Sequence, residues 1–166
     1  MASINGIQIK SLSKFYGHEG EPLYQGNIYY KGKKLGFWSQ DAHGGICDNF
    51  CFDEKILNEE VKKYVSSNRV KDEYRSVSSI ENLLFDLVNV MEDEKSYKKF
   101  LKKGYPTTIV CTDGYHVFCG ACKSVSDEGI LKTFETDIAD FKAKCYKNKD
   151  VKITIYRDLK DFDITV

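Results

Sequence analysis

The sequence has only two prolines, one tryptophan and three histidines, and it has no net charge, because 25 Lys and Arg residues balance 25 Asp and Glu residues. Proteins that bind nucleic acid through its phosphates normally carry a basic excess, and proteins that mimic nucleic acid carry an acidic one. The balance therefore argues against both modes acting over the whole chain. No Ser- or Gly-rich linker interrupts the 166 residues, a length that suits one domain with a single core.

Long apolar runs are also missing. No run approaches the roughly 20 residues that cross a bilayer, so we expect no membrane contact. The first residues, MASINGIQIKSLSK, do not contain the apolar stretch of about 7 to 15 residues that marks a signal peptide. We therefore expect a cytoplasmic protein, in which the six cysteines are free thiols or metal ligands and not disulfides.

The first third of the chain has the pattern of strands. Ile7 and Ile9 alternate with polar residues, which is the period of a half-buried strand. Residues 27–39, NIYYKGKKLGFWS, give two short aromatic strands around residues 31–34, a spacing that predicts a hairpin although Asn-Gly is lacking. Residues 1–52 are therefore predicted to form an N-terminal β-meander.

Residues 53–104 have the pattern of two helices. The first is predicted from the apolar stripe that includes Leu57 and Val61. The second opens with Ser78 and Glu81 in capping-box spacing and ends at a glycine. Its apolar residues recur at helical spacing: Ile80, Leu83, Leu84, Leu87, Val88 and Met91.

Residues 105–166 are predicted to form a hairpin, a helix and a strand. Asp113-Gly114 supplies the hairpin turn, Thr136 the helix cap, and residues 152–158, KITIYRD, the alternating last strand. The predicted order is βββααββαβ. It favours the α+β class, with one antiparallel sheet packed by helices on one face, in a single domain over residues 1–166.

Two cysteine pairs are candidates for metal binding. Cys47 and Cys51, together with Cys119 and Cys122, could supply four thiolates to one zinc ion if the two segments meet. The alternatives are ordinary buried thiols and a redox pair at positions 119 and 122, which would require a helix N-terminus after a strand. No other cofactor is expected.

The stretch SQDAHGGICDNFCFDE, residues 39–54, raises the question of catalysis. Asp41, His43 and Asp48, with Glu19 or His18, could form a metal-dependent hydrolase or nuclease site. Alternatively, the aspartates hydrogen-bond the loop backbone and the glycines allow positive φ, so the stretch is a structured turn. The spacing of these residues fits no metal, nucleophile or phosphate-loop motif. The sequence therefore favours a binding protein over an enzyme.

The predicted hairpin could contact RNA or an acidic protein surface through charge and stacking. The alternative is a solvated turn above a sheet of core aromatics. With the loop that follows, the predicted partner-binding residues are Lys31, Lys33, Lys34, Tyr30, Trp38, Asp41 and His43.

Residues 15–45, FYGHEGEPLYQGNIYYKGKKLGFWSQDAHGG, resemble a module in small proteins of phages and other mobile elements of Gram-positive bacteria. In that module a G-x-E-G loop precedes a hairpin Y-x-G-K-K-(I/L/V)-G and a polar loop ending in G-G, as in the N-terminal hairpin of some type II-A anti-CRISPR proteins. The match covers about residues 10–50. Its signature positions here are Gly17, Glu19, Gly20, Gly32, Lys33, Gly36, Asp41, Gly44 and Gly45.

The resemblance implies a counter-defence protein that acts in the cytoplasm of a bacterial host. Its partner would be a host defence protein or ribonucleoprotein, such as Cas9 with its guide RNA. Because the net charge is zero, such a protein is not expected to act as a DNA mimic. The resemblance does not include the cysteines, so it lends no support to the zinc hypothesis.

Overall fold

The computed structural model describes residues 1–43, 48–51, 53–67, 69, 80–114, 116–145 and 151–166, with 48–51 described by their backbone. In chain order its elements are β1 (Ser3–Ile4), β2 (Ile7–Tyr16), β3 (Pro22–Tyr30), β4 (Lys33–Ser39), β5 (Asp48–Cys51), α1 (Glu54–Val65), α2 (Ile80–Leu101), β6 (Thr107–Thr112), β7 (Val117–Cys122), α3 (Asp127–Thr133), α4 (Glu135–Lys144), β8 (Lys152–Tyr156), a 3-10 turn (Leu159–Phe162) and β9 (Asp163–Ile164). The predicted α+β class is confirmed.

The strands form two sheets and the chain packs as two compact units, 1–91 with 163–166 and 92–162. The sheet of the first unit has the order β5-β4-β3-β2-β1-β9, and its neighbours are antiparallel except for β1 and β9. The sheet of the second unit has the order β7-β6-β8 and is antiparallel throughout. The prediction that all 166 residues fold as one domain stays a prediction.

In the first unit, one face of the sheet forms the core. Ile7, Ile9 and Ile28 are buried on this face, and the strand register places Tyr30 opposite Ile7. The Tyr30 hydroxyl donates to the buried Glu60 carboxylate of α1 at 3.3 Å, so this helix lies over the same face. The apolar stripes of α1 and α2 complete the core with Leu57, Leu83, Leu84 and Leu87, all fully buried.

The predicted hairpin between β3 and β4 is confirmed. Its two-residue turn consists of Lys31 and Gly32, both with positive φ, at 46° and 86°. Two consecutive positive φ values define the turn type that matches the right-handed twist of paired strands. Lys31 adopts a left-handed backbone conformation that Asn or Gly adopts more easily. The Asn-Gly dipeptide that usually marks such a turn is therefore missing from the sequence.

In the second unit, β6 lies in the centre and is buried on both faces from Thr107 to Cys111. The predicted hairpin to β7 is confirmed, with its turn at Asp113-Gly114. On one face, Ile130 of α3, Ile138 of α4 and Phe134 between the two helices form an apolar cluster with the strand residues Ile109, Cys111 and Cys122.

The opposite face of this smaller sheet contacts the second half of α2. There the Tyr156 hydroxyl donates to Asp93 at 2.8 Å. Helices therefore cover both faces of this sheet, whereas the sequence predicted helices on one face. The reason is that β6, TTIVCT, carries no charge and lies in the centre of the sheet, where residues 107–111 are buried on both sides.

Several helix boundaries differ from the predicted ones. Helix α3 was not predicted, and α4 begins at Glu135 after Phe134, so the predicted cap Thr136 lies inside the helix. The predicted end of α2 is confirmed by Gly104, which has a φ of 83°. Ser78 of the predicted capping box lies outside the described residues. Among the described helices, none is both long and apolar enough to cross a membrane.

Candidate functional site

Strand pairing brings the predicted acid and histidine residues together at one end of the first sheet. The β3–β4 ladder continues past Ser39, where the backbone N–H of Gln40 donates to the Tyr24 carbonyl at 3.0 Å. The loop after β2 then meets the loop after β4, because the His18 amide donates to the Ala42 carbonyl at 3.1 Å. The side chains of His18 and His43, 25 positions apart in sequence, therefore become neighbours.

Within this loop pair, the rings of His18 and His43 are stacked, with centroids 6.3 Å apart and an interplanar angle of 22°. The Asp41 carboxylate accepts the His43 backbone amide at 3.0 Å, and its Oδ1 lies 3.6 Å from His43 Nδ1. The His43 side chain is 82% exposed. This arrangement is the aspartate-stabilised turn that the sequence offered as the alternative to catalysis.

The remaining members of the predicted catalytic set are placed only in part. Glu19 is exposed, and its backbone amide donates to the Glu21 carboxylate at 3.0 Å. Asp48 lies in β5, whose backbone alone is described. No group of three or more His, Cys, Asp or Glu side chains within the described ranges could hold a metal ion. Gly44 and Gly45 lie outside those ranges.

The cysteine candidates do not form a cluster in the described part of the chain. Cys47 lies outside it, and Cys51 belongs to the backbone-only strand β5. Cys122 is buried in the apolar cluster of the second unit. Cys119, an odd number of residues away on β7, projects from the opposite face.

The two thiols of β7 are therefore directed away from each other, an arrangement that does not favour their binding one ion. Burial raises the pKa of the Cys119 thiol, and the nearby Asp93 carboxylate raises it further. Both cysteines lie within a strand and not at a helix N-terminus, which is the position that would activate a redox pair. The zinc site stays a prediction, but the geometry of β7 gives it no support.

The residues predicted to bind a partner through the hairpin divide into two groups. Lys31, Lys33 and Lys34 are exposed at and beside the turn, as predicted. Tyr30 instead points to the core face, where it contacts Glu60. Lys31 Nζ lies over the Tyr30 ring, 4.9 Å from its centroid.

Trp38 was predicted to belong to the binding surface, and this prediction is wrong. The side chain is fully buried, with an exposed fraction of 0%. Its ring meets the edge of Phe85 of α2, with centroids 5.9 Å apart and planes at 82°. Its Nε1 has no hydrogen-bond partner among the described atoms. Trp38 is therefore a core residue of the first unit.

The opposite face of the first sheet carries a surface that the sequence analysis missed. Lys10 Nζ lies over the Tyr29 ring, 4.3 Å from its centroid, on the face turned away from Ile9 and Ile28. The strand register places Lys34 directly opposite Tyr29. We call this surface the open face and define it by the residues that share it: Gln8, Lys10, Asn27, Tyr29, Lys34 and Phe37.

The six side chains of the open face are two aromatic rings, two lysines and two amides. Lys34 is exposed and the other five side chains are partly exposed. A lysine above a tyrosine ring is attracted by the negative face of the ring, which holds the ammonium group at the sheet surface. The alternation of β2 already contained the signal, since Gln8 and Lys10 occupy the positions between the buried isoleucines.

Comparison with known protein families, curated proteins and solved structures finds no match to this chain.

Proposed function

We propose that this chain is a counter-defence protein of a mobile element that inhibits Cas9 by binding it or its guide-RNA complex, without catalysis, in the cytoplasm of a bacterial host. The binding surface is the open face together with the lysines of the adjacent hairpin. The observation that carries the proposal is the position of Lys10 over Tyr29, with Lys34 opposite the same ring.

This surface has the chemistry for a ribonucleoprotein. Aromatic rings on a sheet accept stacked bases, and neighbouring lysines neutralise phosphates. The amides of Gln8 and Asn27 add groups that can both donate and accept hydrogen bonds. The two lysines of the open face attract the anionic parts of such a partner, although the whole chain is neutral. The mode of action is therefore not DNA mimicry.

Binding is tested by titrating the purified protein with guide RNA, with Cas9, with the Cas9–guide complex and with an unrelated RNA. We expect saturable binding to the complex at physiological salt, and inhibition of target cleavage at the same concentrations. If the lysines meet phosphates, the double variant Lys10→Glu, Lys34→Glu lowers affinity at least about tenfold and reduces the salt dependence of binding.

The matched control is Lys14→Glu. Ser13 pairs with Gln25, which lies two residues from Asn27 and therefore projects on the same side of the sheet as the open face. The next residue, Lys14, lies on the opposite side. Lys14 also stacks on an aromatic ring, that of Tyr16 at 5.3 Å, which makes it chemically equivalent to Lys10. Equal losses in the control and the double variant would show that charge alone, and not the open face, determines binding. No binding to any of the four would refute the proposal.

A hydrolase is the second candidate function, favoured by the stacking of His18 on His43 beside Asp41. Two exposed imidazoles and a carboxylate could act as general acid and base groups, and Asp48 could add a ligand for a divalent metal. In this case the protein would cleave labelled RNA or DNA in the presence of Mg²⁺ or Mn²⁺. Cleavage that is unchanged in the double variant Asp41→Ala, His43→Ala would exclude this site.

A further inference from the structure

Strand β7 forms an outer edge of the three-stranded sheet. It pairs with β6 on one side, and no strand in the described part of the chain pairs with it on the other. An edge strand presents backbone N–H and C=O groups that can bond a further strand. Val117, the first residue of β7, is 65% exposed although it is apolar.

β7 has none of the features that usually prevent edge pairing. Its sequence, VFCGAC, contains neither a charge nor a proline, and its ladder with β6 runs without a register shift. The other edges differ: β8 carries Lys152, β5 carries Asp48, and β9 has only two residues. Charges, short length and bulges are the ordinary means of protecting an edge, so β7 is the exception among the described strands.

We propose that β7 pairs antiparallel with β7 of a second copy of this chain, which joins the two small sheets into one continuous six-stranded sheet in a homodimer. This dimer does not involve the open face, which lies on another sheet. A second copy suits this edge because two antiparallel copies of β7 bring no charges opposite each other and place Val117 opposite a smaller residue.

The register follows from the alternation of side chains. Residues that lie opposite each other in an antiparallel pair project from the same face, so in a symmetric pair their numbers differ by an even number. The two-fold axis normal to the sheet therefore passes through a residue and not between two residues. With the axis at Cys119, Val117 faces Ala121 of the second copy and Phe118 faces Gly120 of the second copy. Val117 then meets the smaller Ala121, and no charges are opposed. Gly120 is already covered by the Phe118 and Phe134 rings of its own chain, so Phe118 of the second copy lies beside these rings.

Neighbouring registers are less favourable. An axis at Gly120 places Val117 opposite Lys123 of the second copy, which sets an ammonium group against an apolar side chain. An axis at Phe118 opposes two phenylalanines that already contact Phe134 and Phe141 within their own chains. The register centred on Cys119 therefore avoids both the opposed phenylalanines and the lysine set against Val117.

Sedimentation velocity over a range of protein concentrations tests the dimer. We expect a species of twice the 19.1 kDa chain mass at the higher concentrations. Val117→Lys adds a charge to the edge and should give a monomer throughout. The control is Val125→Lys, because Val125 is equally apolar and 64% exposed but lies in the loop after β7, so this variant should remain dimeric.

Crosslinking tests the register. A short bis-methanethiosulfonate, which reacts selectively with thiols, applied at pH 8 should join the two copies in the wild-type protein and in Cys122→Ser, but not in Cys119→Ser. Circular dichroism verifies that each variant is folded. A wild-type protein that stays monomeric, a dimer that survives Val117→Lys, or crosslinking that persists in Cys119→Ser would each overturn the proposal.

Discussion

Arg69 and Asp86 form a two-point ion pair, with Nε 2.6 Å from Oδ2 and Nη2 2.8 Å from Oδ1. The two side chains are only 19% and 22% exposed, so water screens their attraction less than at the surface. The pair joins the segment just after α1 to the second turn of α2. It therefore fixes the two helices that cover the core face of the first sheet.

Removing this pair should destabilise the protein. Asp86→Asn keeps the shape but removes the charge, and we expect the free energy of unfolding in urea to fall by about 1 to 3 kcal/mol. Glu92→Gln is the control, since Glu92 and Lys95 lie 3.5 Å apart with side chains 53% and 77% exposed. Exposed pairs contribute little, so the control should match the wild type. Equal effects of both substitutions would argue against this reasoning.

Stability should decrease in alkali because of Tyr64. Burial raises the pKa of its phenol above the ordinary value, and the nearby Asp86 carboxylate raises it further. Above about pH 10 the unfolded state loses this proton while the folded state retains it. The unfolded state then binds fewer protons, so the free energy of unfolding falls as the pH rises.

The measurement is the urea midpoint between pH 8 and pH 11. Tyr64→Phe should make this decline less steep, and at pH 8 it should lower the midpoint only by the loss of the hydroxyl's bonds to the Asn82 carbonyl, 3.4 Å away, and to the Asp86 carboxylate. Tyr97, whose pKa is also raised by burial, provides a second test. A decline in Tyr64→Phe as steep as in the wild type would contradict the assignment.

The sequence predicted elements that local chemistry determines. The apolar stripe of α2, the stop at Gly104 and the turn at Asp113-Gly114 all depend on residues within one or two turns of chain. Trp38 was misplaced because aromatic residues on both sides of a hairpin give no indication of which face is covered. That choice depends on packing against α2, through contacts such as that with Phe85 from a distant part of the chain.

The candidate surface illustrates the same limit. Lys10 and Tyr29 become neighbours only through the register of β2 and β3, and Ser11 adopts a positive φ of 53° within the register shift that follows. The alternation of Lys10 with isoleucines therefore predicts that Lys10 is exposed, but it does not predict that Lys10 contacts Tyr29. Helix α3 was missed because its seven residues contribute a single fully buried side chain, Ile130, which is too little for a periodic signal.

The turn of the first hairpin offers a pair of opposite predictions. Gly32→Ala places a side chain at a φ of 86° and should cost about 1 kcal/mol or more. Lys31→Asn introduces the residue that best tolerates this turn and should raise the free energy of unfolding by a few tenths to about 1 kcal/mol. Urea unfolding measures both. Stabilisation by Gly32→Ala would contradict the turn geometry.

Trp38 allows the single-domain prediction to be tested, because it is the only tryptophan and lies in the core of the first unit. Helix α2 runs through the boundary at residues 91 and 92, so unfolding either unit interrupts a helix of the other. We therefore expect Trp38 fluorescence and far-UV circular dichroism to report the same urea midpoint.

Ile109→Ala makes this test decisive. Ile109 is fully buried in the second unit, and its truncation should cost about 2 to 5 kcal/mol. If the chain folds as one cooperative domain, the substitution shifts the fluorescence transition of Trp38 as far as it shifts the dichroism transition. A fluorescence midpoint that stays at its wild-type value would mean that the two units unfold independently and that the chain contains two domains.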